Sequence, residues 1–222
     1  MSGAAKLFRV LLAVAFAAGA CLTARAGYLH VKAALAGMLI RDAWSESAGT
    51  GRPTPPWPWA DTYPIARLRI PRIGYDEIVL EGATPRTLAF GPARLRSGVA
   101  PGEPGNLVLA GHRTSWFRPL QELRAGDAIE VQWFDVRTGK LRRRLYTVTS
   151  LRVTSPQEAE LAAAEGADRL TLLTCYPFGR GPTSPLRLVV RAAPSPPVVQ
   201  SAGVAQADEA LPHQRRLHSG SE

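Results

Sequence analysis

The sequence predicts a mainly β domain, closed into a barrel, behind a long apolar N-terminal helix. Eight or so short segments between residues 64 and 193 show the two-residue alternation of strands, and short helices lie in some of the connections. Closing such a sheet removes its exposed edges, so a barrel is favoured over a sandwich. The 222 residues, 45% of them apolar, are enough for one such domain with appendages.

The N-terminal segment is the first element, and two interpretations of it compete. Residues 7–24 are nearly all apolar, a marginal length for a membrane span of about 17–25 residues. Ala24-Arg25-Ala26 could be the site at which a signal peptide is cleaved. The helical pattern instead continues without a turn signal through Trp44, which favours an uncleaved signal anchor. Cys21 is interpreted as an apolar filler of this helix, since Ala18-Gly19-Ala20 before it only faintly resembles a lipoprotein cleavage site.

Composition divides the chain into four parts. Residues 1–26 are predicted to be a cytoplasmic stub and a transmembrane signal anchor. Residues 27–63 are predicted to be an extended juxtamembrane helix followed by a Pro- and Trp-rich linker. Residues 64–193 are the predicted barrel. Residues 194–222 are polar, begin with closely spaced prolines and lack periodicity, so a disordered tail is predicted there.

Within the barrel segment, strands, turns and short helices can be assigned in order. Alternation predicts strands at 66–70 and 78–80, and a short helix follows with Thr84 as N-cap and Pro85 in its first position. Five further strands are predicted at 107–110, 128–133, 144–153, 169–174 and 186–192. The second and third of these five flank a turn and make a hairpin, and a helix from about 155 to 164 precedes the fourth.

Cys175 is the residue on which the functional interpretation depends. It stands at the end of the strand at 169–174, just before a Pro- and Gly-rich loop. The only other cysteine, Cys21, lies in the apolar N-terminus, so a disulfide between them is not expected and the thiol is free to react. A thiol attacks an acyl carbon as the thiolate, so a neighbouring group must take its proton.

His112 and Arg187 are the candidate partners of this thiol. His112 follows Gly111 at the end of an apolar strand and is the only histidine in the globular part, which makes it the candidate base. Arg187 lies on another apolar strand and offers a permanently charged fork of donors for the oxyanion of acyl transfer. Each residue alone has an ordinary structural explanation, but together with the free thiol they indicate a cysteine acyl-transfer site.

The formal charge of +9 comes mostly from scattered arginines. The densest run is Arg142-Arg143-Arg144, beside the predicted turn Thr138-Gly139-Lys140, and it is interpreted as a solvated hairpin end. No aromatic residues are interleaved with this run, so no nucleic-acid partner is predicted.

These motifs resemble those of sortases. Thr171-Leu172-Leu173-Thr174-Cys175 resembles the family's Thr-Leu-x-Thr-Cys strand, Arg187 matches its catalytic arginine, and Asn106-Leu107-Val108-Leu109-Ala110-Gly111-His112 matches the strand that ends in its catalytic histidine. The chain is most similar to class GN, the marine proteobacterial type, and the resemblance covers roughly Tyr28 to Ala192. Four blocks carry it: Trp57-Pro58-Trp59-Ala60-Asp61-Thr62, Thr87-Leu88-Ala89-Phe90-Gly91-Pro92, Pro101-Gly102-Glu103-Pro104-Gly105-Asn106 and Thr174-Cys175-Tyr176-Pro177-Phe178. One departure is Thr114-Ser115-Trp116, where that class often has an acidic residue.

The resemblance implies a closed eight-stranded sortase β-barrel and a cysteine transpeptidase. The enzyme would cleave a Leu-Pro-x-Thr-Gly-like sorting signal between Thr and Gly through a thioacyl-enzyme, and would pass the acyl group to an amine acceptor of unknown identity. Cys175, His112 and Arg187 would be catalytic, and the substrate-binding residues would be Thr174, Tyr176 and Phe178. The N-terminal helix would hold the protein in the inner membrane as a single-pass protein with the catalytic domain in the periplasm. No carboxylates cluster near the site loops, so neither a metal nor another cofactor is expected.

Two alternatives stay open. One is another Cys/His acyl transferase or protease, although papain-like enzymes have the reverse order, caspase-like enzymes lack this strand, and L,D-transpeptidases place His and Cys close in sequence. The other is a non-catalytic, membrane-anchored β-barrel that binds envelope proteins or peptides. Capture of Cys175 by a thiol-reactive Leu-Pro-x-Thr mimic separates an enzyme from a binding protein.

Overall fold

The computed structural model describes residues 3–164, 168–179 and 185–196. It contains a long N-terminal helix and eight strands that close into a barrel in the order β1-β2-β3-β4-β7-β8-β6-β5. The helices are α1 (Gly3–Thr50), α2 (Pro85–Leu88) and α3 (Pro156–Ala164), with 3₁₀ turns at Pro71–Ile73 and Arg118–Glu122. The strands are β1 (Pro64–Ile70), β2 (Tyr75–Leu80), β3 (Ala93–Arg94), β4 (Asn106–Ala110), β5 (Ala128–Asp135), β6 (Lys140–Thr154), β7 (Arg169–Tyr176) and β8 (Leu186–Pro194). The predicted closed eight-stranded barrel is confirmed.

Strand alternation builds the interior of the barrel. β1 alternates buried and half-buried residues along its whole length, so Ala66, Leu68 and Ile70 point into the core. Equivalent residues of the other strands complete one main cluster, which includes Val79, Leu107, Leu109, Ile129, Val131, Tyr146, Val148, Leu170, Leu172, Leu188 and Val190. Most neighbouring strands are antiparallel, but β2 with β3 and β4 with β7 are parallel. No hairpin turn can join such parallel neighbours, so α2 lies between β2 and β3 along the chain, and β5, β6 and α3 lie between β4 and β7.

α1 has two halves with different surroundings. In its C-terminal half Ala36, Ile40, Ala43 and Ser47 recur at helical spacing and are buried, because this face packs on β1 and β2. In its N-terminal half Leu7–Arg25 is exposed, apolar and long enough to cross a membrane. A signal sequence would have the same length and composition, so this segment alone does not separate the two interpretations of the N-terminus.

Several strand boundaries differ from the sequence prediction, and strand pairing explains the differences in β6 and β7. β7 continues through Tyr176, so Cys175 lies within the strand rather than after it, because its pairing with β8 extends to Leu186. β6 begins at Lys140 rather than at 144, because the hairpin with β5 pairs Asp135 with Lys140. The predicted tail falls outside the described residues from position 197 onwards.

Candidate active site

β7 lies between β4 and β8, and this arrangement brings the three candidate catalytic residues to one place. Cys175 on β7 is the direct partner of Arg187 on β8. Direct partners in an antiparallel pair have Cα atoms about 4.5–5.5 Å apart, so these two side chains are neighbours on one face. On the other side, the N–H of Gly111 donates to the carbonyl of Leu173 at 3.2 Å, and His112 follows at once.

Cys175 and Arg187 face outwards from the barrel. Alternate residues of β7 enter the core, whereas Leu173 packs with Val189 of β8 and Ala159 of α3 in a small cluster outside it. Cys175 is two residues from Leu173 on β7, and Arg187 is two residues from Val189 on β8. Since side chains two residues apart lie on the same face of a strand, Cys175 and Arg187 both lie on the outer face beside α3. The thiol is free and half-buried, so a substrate can reach it.

Thr174 points the opposite way, and its position bears on its predicted role. It is only 4% exposed, and its hydroxyl donates to the carbonyl of Gly111 at 2.7 Å. This bond ties Gly111, the residue before His112, to β7 next to Cys175. Its predicted contact with a peptide stays a prediction.

His112 is held by the tight turn that follows it. Its carbonyl accepts the N–H of Phe117 at 2.9 Å and that of Ser115 at 3.3 Å. Phe117 is fully buried, and its ring lies directly on Gly111, where a Cβ would come within 2.7 Å of Cγ. Glycine is therefore required next to the histidine by close packing. His112 itself is exposed, and among the described residues it forms no ion pair with a carboxylate.

Arg113 is a residue of this site that sequence reasoning did not select. It is 6% exposed, and its Nη1 donates to the carbonyl of Pro177 at 2.9 Å. This bond joins the loop after β4 to the loop after β7. The segments that carry His112 and Cys175 are therefore linked at two points, by this bond and by the bond from Thr174 to the Gly111 carbonyl. Adjacency to His112 was the only sequence signal, and it did not indicate a buried arginine.

Tyr176 and Phe178, the other two predicted substrate-binding residues, pack against each other beyond Cys175. Their ring centroids are 6.2 Å apart in an edge-to-face arrangement, and both rings are half-buried against the core cluster. They form an apolar surface at the end of β7. Contact between this surface and a substrate peptide stays a prediction.

Comparison with known proteins identifies the family. A family model described as the Sortase domain matches residues 68–195, more than half of the chain. The chain belongs to the sortase family. Among curated relatives, sortase D of Bacillus subtilis (strain 168) is 27% identical over 124 residues, which cover 55% of this chain and 60% of that protein. Sortase A of Bacillus anthracis is 30% identical over 115 residues, which cover 50% of this chain and 51% of that protein.

Solved structures agree with the family assignment. Sortase C-1 from Actinomyces oris superposes with a TM-score of 0.52 at 28% identity, covering 60% of this chain and 73% of that one. Sortase A from Corynebacterium diphtheriae gives a TM-score of 0.53 at 27% identity, covering 62% of this chain and 63% of that one. The matches cover the barrel of this sortase, and its chain spans between half and two thirds of the curated relatives' length.

Proposed function

We propose that this sortase is a membrane-anchored cysteine transpeptidase of class GN type. It cleaves a Leu-Pro-x-Thr-Gly-like sorting signal between Thr and Gly and transfers the new acyl end to an amine. The observation that carries the proposal is the strand register: Cys175 is paired with Arg187, and Gly111, the neighbour of His112, is bonded to Leu173 on the same strand. Nucleophile, donor and proton carrier therefore come from three adjacent elements.

In the first half-reaction the Cys175 thiolate attacks the Thr carbonyl carbon of the signal. The oxygen becomes an oxyanion, and the Arg187 guanidinium stabilises it from the neighbouring strand. The C–N bond then breaks, and protonated His112 gives its proton to the departing Gly amine. A thioacyl-enzyme remains on Cys175, and the C-terminal part of the substrate leaves.

In the second half-reaction an acceptor amine attacks the thioester carbonyl. Neutral His112 takes a proton from the amine, and Arg187 again stabilises the oxyanion. Collapse breaks the C–S bond, forms the new amide and returns the thiolate. The proton on His112 is then available for the next leaving amine, so the cycle is balanced without any further reactant.

We further propose that Leu7–Arg25 anchors the enzyme in the inner membrane and that the barrel faces the periplasm. α1 is continuous from this segment to its contact with the barrel at Ala36, and a rise of about 1.5 Å per residue puts that contact about 16 Å beyond Arg25. N-terminal sequencing of purified protein and membrane fractionation test the anchor. A mature start at Gly27 in a soluble fraction would contradict it.

The catalytic proposal is tested with full-length enzyme in detergent, a quenched fluorescent Leu-Pro-x-Thr-Gly peptide library and an amine acceptor. Cys175→Ala is expected to abolish turnover and thioacyl formation, while Cys21→Ala serves as the matched control and keeps both. His112→Ala is expected to lower kcat/KM by about 10²–10⁴-fold. Turnover retained by Cys175→Ala would refute the assignment of the nucleophile. If the parent protein binds the peptide but does not cleave it, the non-catalytic alternative is supported.

A further inference from the structure

A second recessed site lies away from Cys175, between the end of α1 and the β5–β6 hairpin. It is a cleft of about 850 Å³ whose walls come from the end of α1, the start of β1, the 100–104 loop and the hairpin. None of the three candidate catalytic residues lines it. Five arginines do: Arg52, Arg137, Arg142, Arg143 and Arg144.

The positive charge of the cleft is only partly compensated. Two carboxylates, Glu103 and Asp135, line it with the five arginines. Glu103 accepts the N–H of Ala100 at 3.1 Å, and Asp135 accepts the N–H of Arg137 at 2.9 Å, so both carboxylates are engaged by their own loops. Arg142 lies 3.9 Å from Asp135.

The remaining arginines differ in whether they have a carboxylate partner. Arg144 pairs with Asp168 at 3.1 Å. For Arg52, Arg137 and Arg143 no ion pair is found within the part of the chain that the structure describes. Three guanidinium groups at one cleft therefore lie outside any close ion pair and can bind an anionic ligand, with Arg137 also attracted to Asp135.

The apolar walls of the cleft are built by close packing of the hairpin aromatics on glycines. Trp133 lies against Gly102, where a Cβ would come within 2.4 Å of the indole Nε1. Phe134 lies against Gly51, where a Cβ would come within 3.2 Å of the ring. Both glycines have positive φ, +90° and +71°, which side chains other than glycine rarely adopt. The hairpin is therefore packed against both neighbouring segments, and the cleft is formed without a ligand.

Among the described residues, the cleft also borders a strand edge that has no partner strand. Within the described residues β6 pairs only with β5 from Lys140 to Arg144, and its other edge is first occupied where the N–H of Ser195 donates to the carbonyl of Leu145. Unpaired backbone groups on an edge can accept an added strand, and charges there also deter unwanted pairing. A strand that carries carboxylates would complete the hydrogen bonds and match the charge.

The position of the cleft argues against lipid headgroups. Trp44, which lines it, lies roughly 28 Å beyond Arg25 along α1. Headgroups extend only about 5–8 Å beyond the hydrocarbon core on each side. If Leu7–Arg25 spans a membrane, lipids of that membrane do not reach the cleft, so the ligand comes from the aqueous side.

We propose that this cleft binds an extended, acidic segment of a partner protein. Its carboxylates pair with Arg52, Arg137 and Arg143, its backbone runs along the edge of β6, and its apolar side chains contact Trp133 on the other face of the hairpin. The site is separate from Cys175 and does not depend on the transpeptidase assignment. It gives the arginine run of the hairpin a function as a docking surface.

The test uses full-length protein in nanodiscs and a fluorescent peptide of alternating Glu and Val, with a Gln-Val peptide of the same length as the matched ligand. Fluorescence anisotropy is expected to show that the Glu-Val peptide binds and that the Gln-Val peptide binds at least about tenfold more weakly. The triple substitution Arg52→Gln, Arg137→Gln, Arg143→Gln is expected to weaken Glu-Val binding by a similar factor. A control triple, Arg96→Gln, Arg118→Gln, Arg124→Gln, removes the same charge from exposed positions outside the cleft and is expected to leave binding unchanged.

Three outcomes overturn the proposal. Equal binding of the two peptides, or equal loss in the two triple variants, would show general charge attraction rather than a site. Binding that appears only after residues 197–222 are removed would show that the chain's own C-terminal segment is the occupant. Unchanged thermal unfolding of both triple variants is the check that the cleft has remained folded.

Discussion

Gly111→Ala is the substitution that most directly tests how packing positions His112. The added Cβ would lie 2.7, 2.9 and 3.0 Å from three ring atoms of Phe117, whereas carbon atoms in contact normally lie about 3.5–4.0 Å apart. Gly111 is not a positive-φ position, so the cost is steric. Phe117 is fully buried and tilted against the ring of Tyr75 with centroids 6.3 Å apart, so it has little room to retreat.

Two consequences of this overlap are expected. Overpacking of a well-packed site costs about 1–3 kcal/mol, so the free energy of unfolding should fall by that amount. Part of the overlap is relieved by moving residue 111 outwards, against the bonds that hold it to Leu173 and Thr174, and His112 moves with it. A misplacement of about 1 Å at a catalytic group can cost roughly 10²-fold, so kcat/KM should fall by up to that factor.

The assay combines denaturant unfolding with peptide cleavage for Gly111→Ala, Phe117→Leu and the double variant. The smaller Leu makes room for the methyl group, so Gly111→Ala should be less harmful in the Phe117→Leu background than alone. Gly49→Ala is the control, since a Cβ there meets nothing within 4 Å. If Gly111→Ala matched the parent in stability and kcat/KM, or if Phe117→Leu gave no rescue, the packing argument would be wrong.

Three further predictions follow from individual contacts. Tyr75→Phe should raise the free energy of unfolding by about 1 kcal/mol, because the buried hydroxyl has no partner among the described residues; a clear loss of stability would contradict this. The hydrogen bond from Arg72 lowers the pKa of Asp127. The pair therefore stabilises the fold fully above the unfolded-state pKa of about 3.9, and this stabilisation is lost as the pH falls through the lower folded-state pKa. Asp127→Asn should therefore be less stable than the parent at neutral pH and equal to it at strongly acidic pH, and a pH-independent difference in unfolding curves would refute this. Arg187→Lys should lower kcat/KM through loss of the planar fork, whereas Arg191→Lys, about 13 Å further along β8, should be nearly neutral; reversed penalties would reject the assignment.

Sequence patterns predicted most strands because burial alternates with a period of two, as it does throughout β1. β3 was missed, since it has only two residues and is defined by its pairing with β2 and β4. The start of β6 was misplaced because Arg142-Arg143-Arg144 shows no alternation, although pairing with β5 holds the segment extended. Elements defined by their neighbours have little signal in their own sequence.

The same distinction applies to the sites. Cys175, His112 and Arg187 could be selected from sequence because each stands on or at the end of a recognisable apolar strand. Arg113 could not, because its bond to Pro177 joins loops that are distant in sequence. The arginine run was interpreted as a solvated hairpin end, and the end of α1 and the 100–104 loop turn it into the wall of a cleft.

The two threonines of the β7 motif suggest why the thiol faces outwards. β4 and β7 are parallel and far apart in sequence, so no hairpin turn fixes their register. Thr171 donates to Asn106 Oδ1 at 2.8 Å at the start of the pair, and Thr174 donates to the Gly111 carbonyl at 2.7 Å at its end; both bonds are buried. A slip of one residue would break both and turn Cys175 towards the core, away from Arg187. The two threonines therefore fix the register of β7 against β4, which gives a physical reason for their spacing before Cys175.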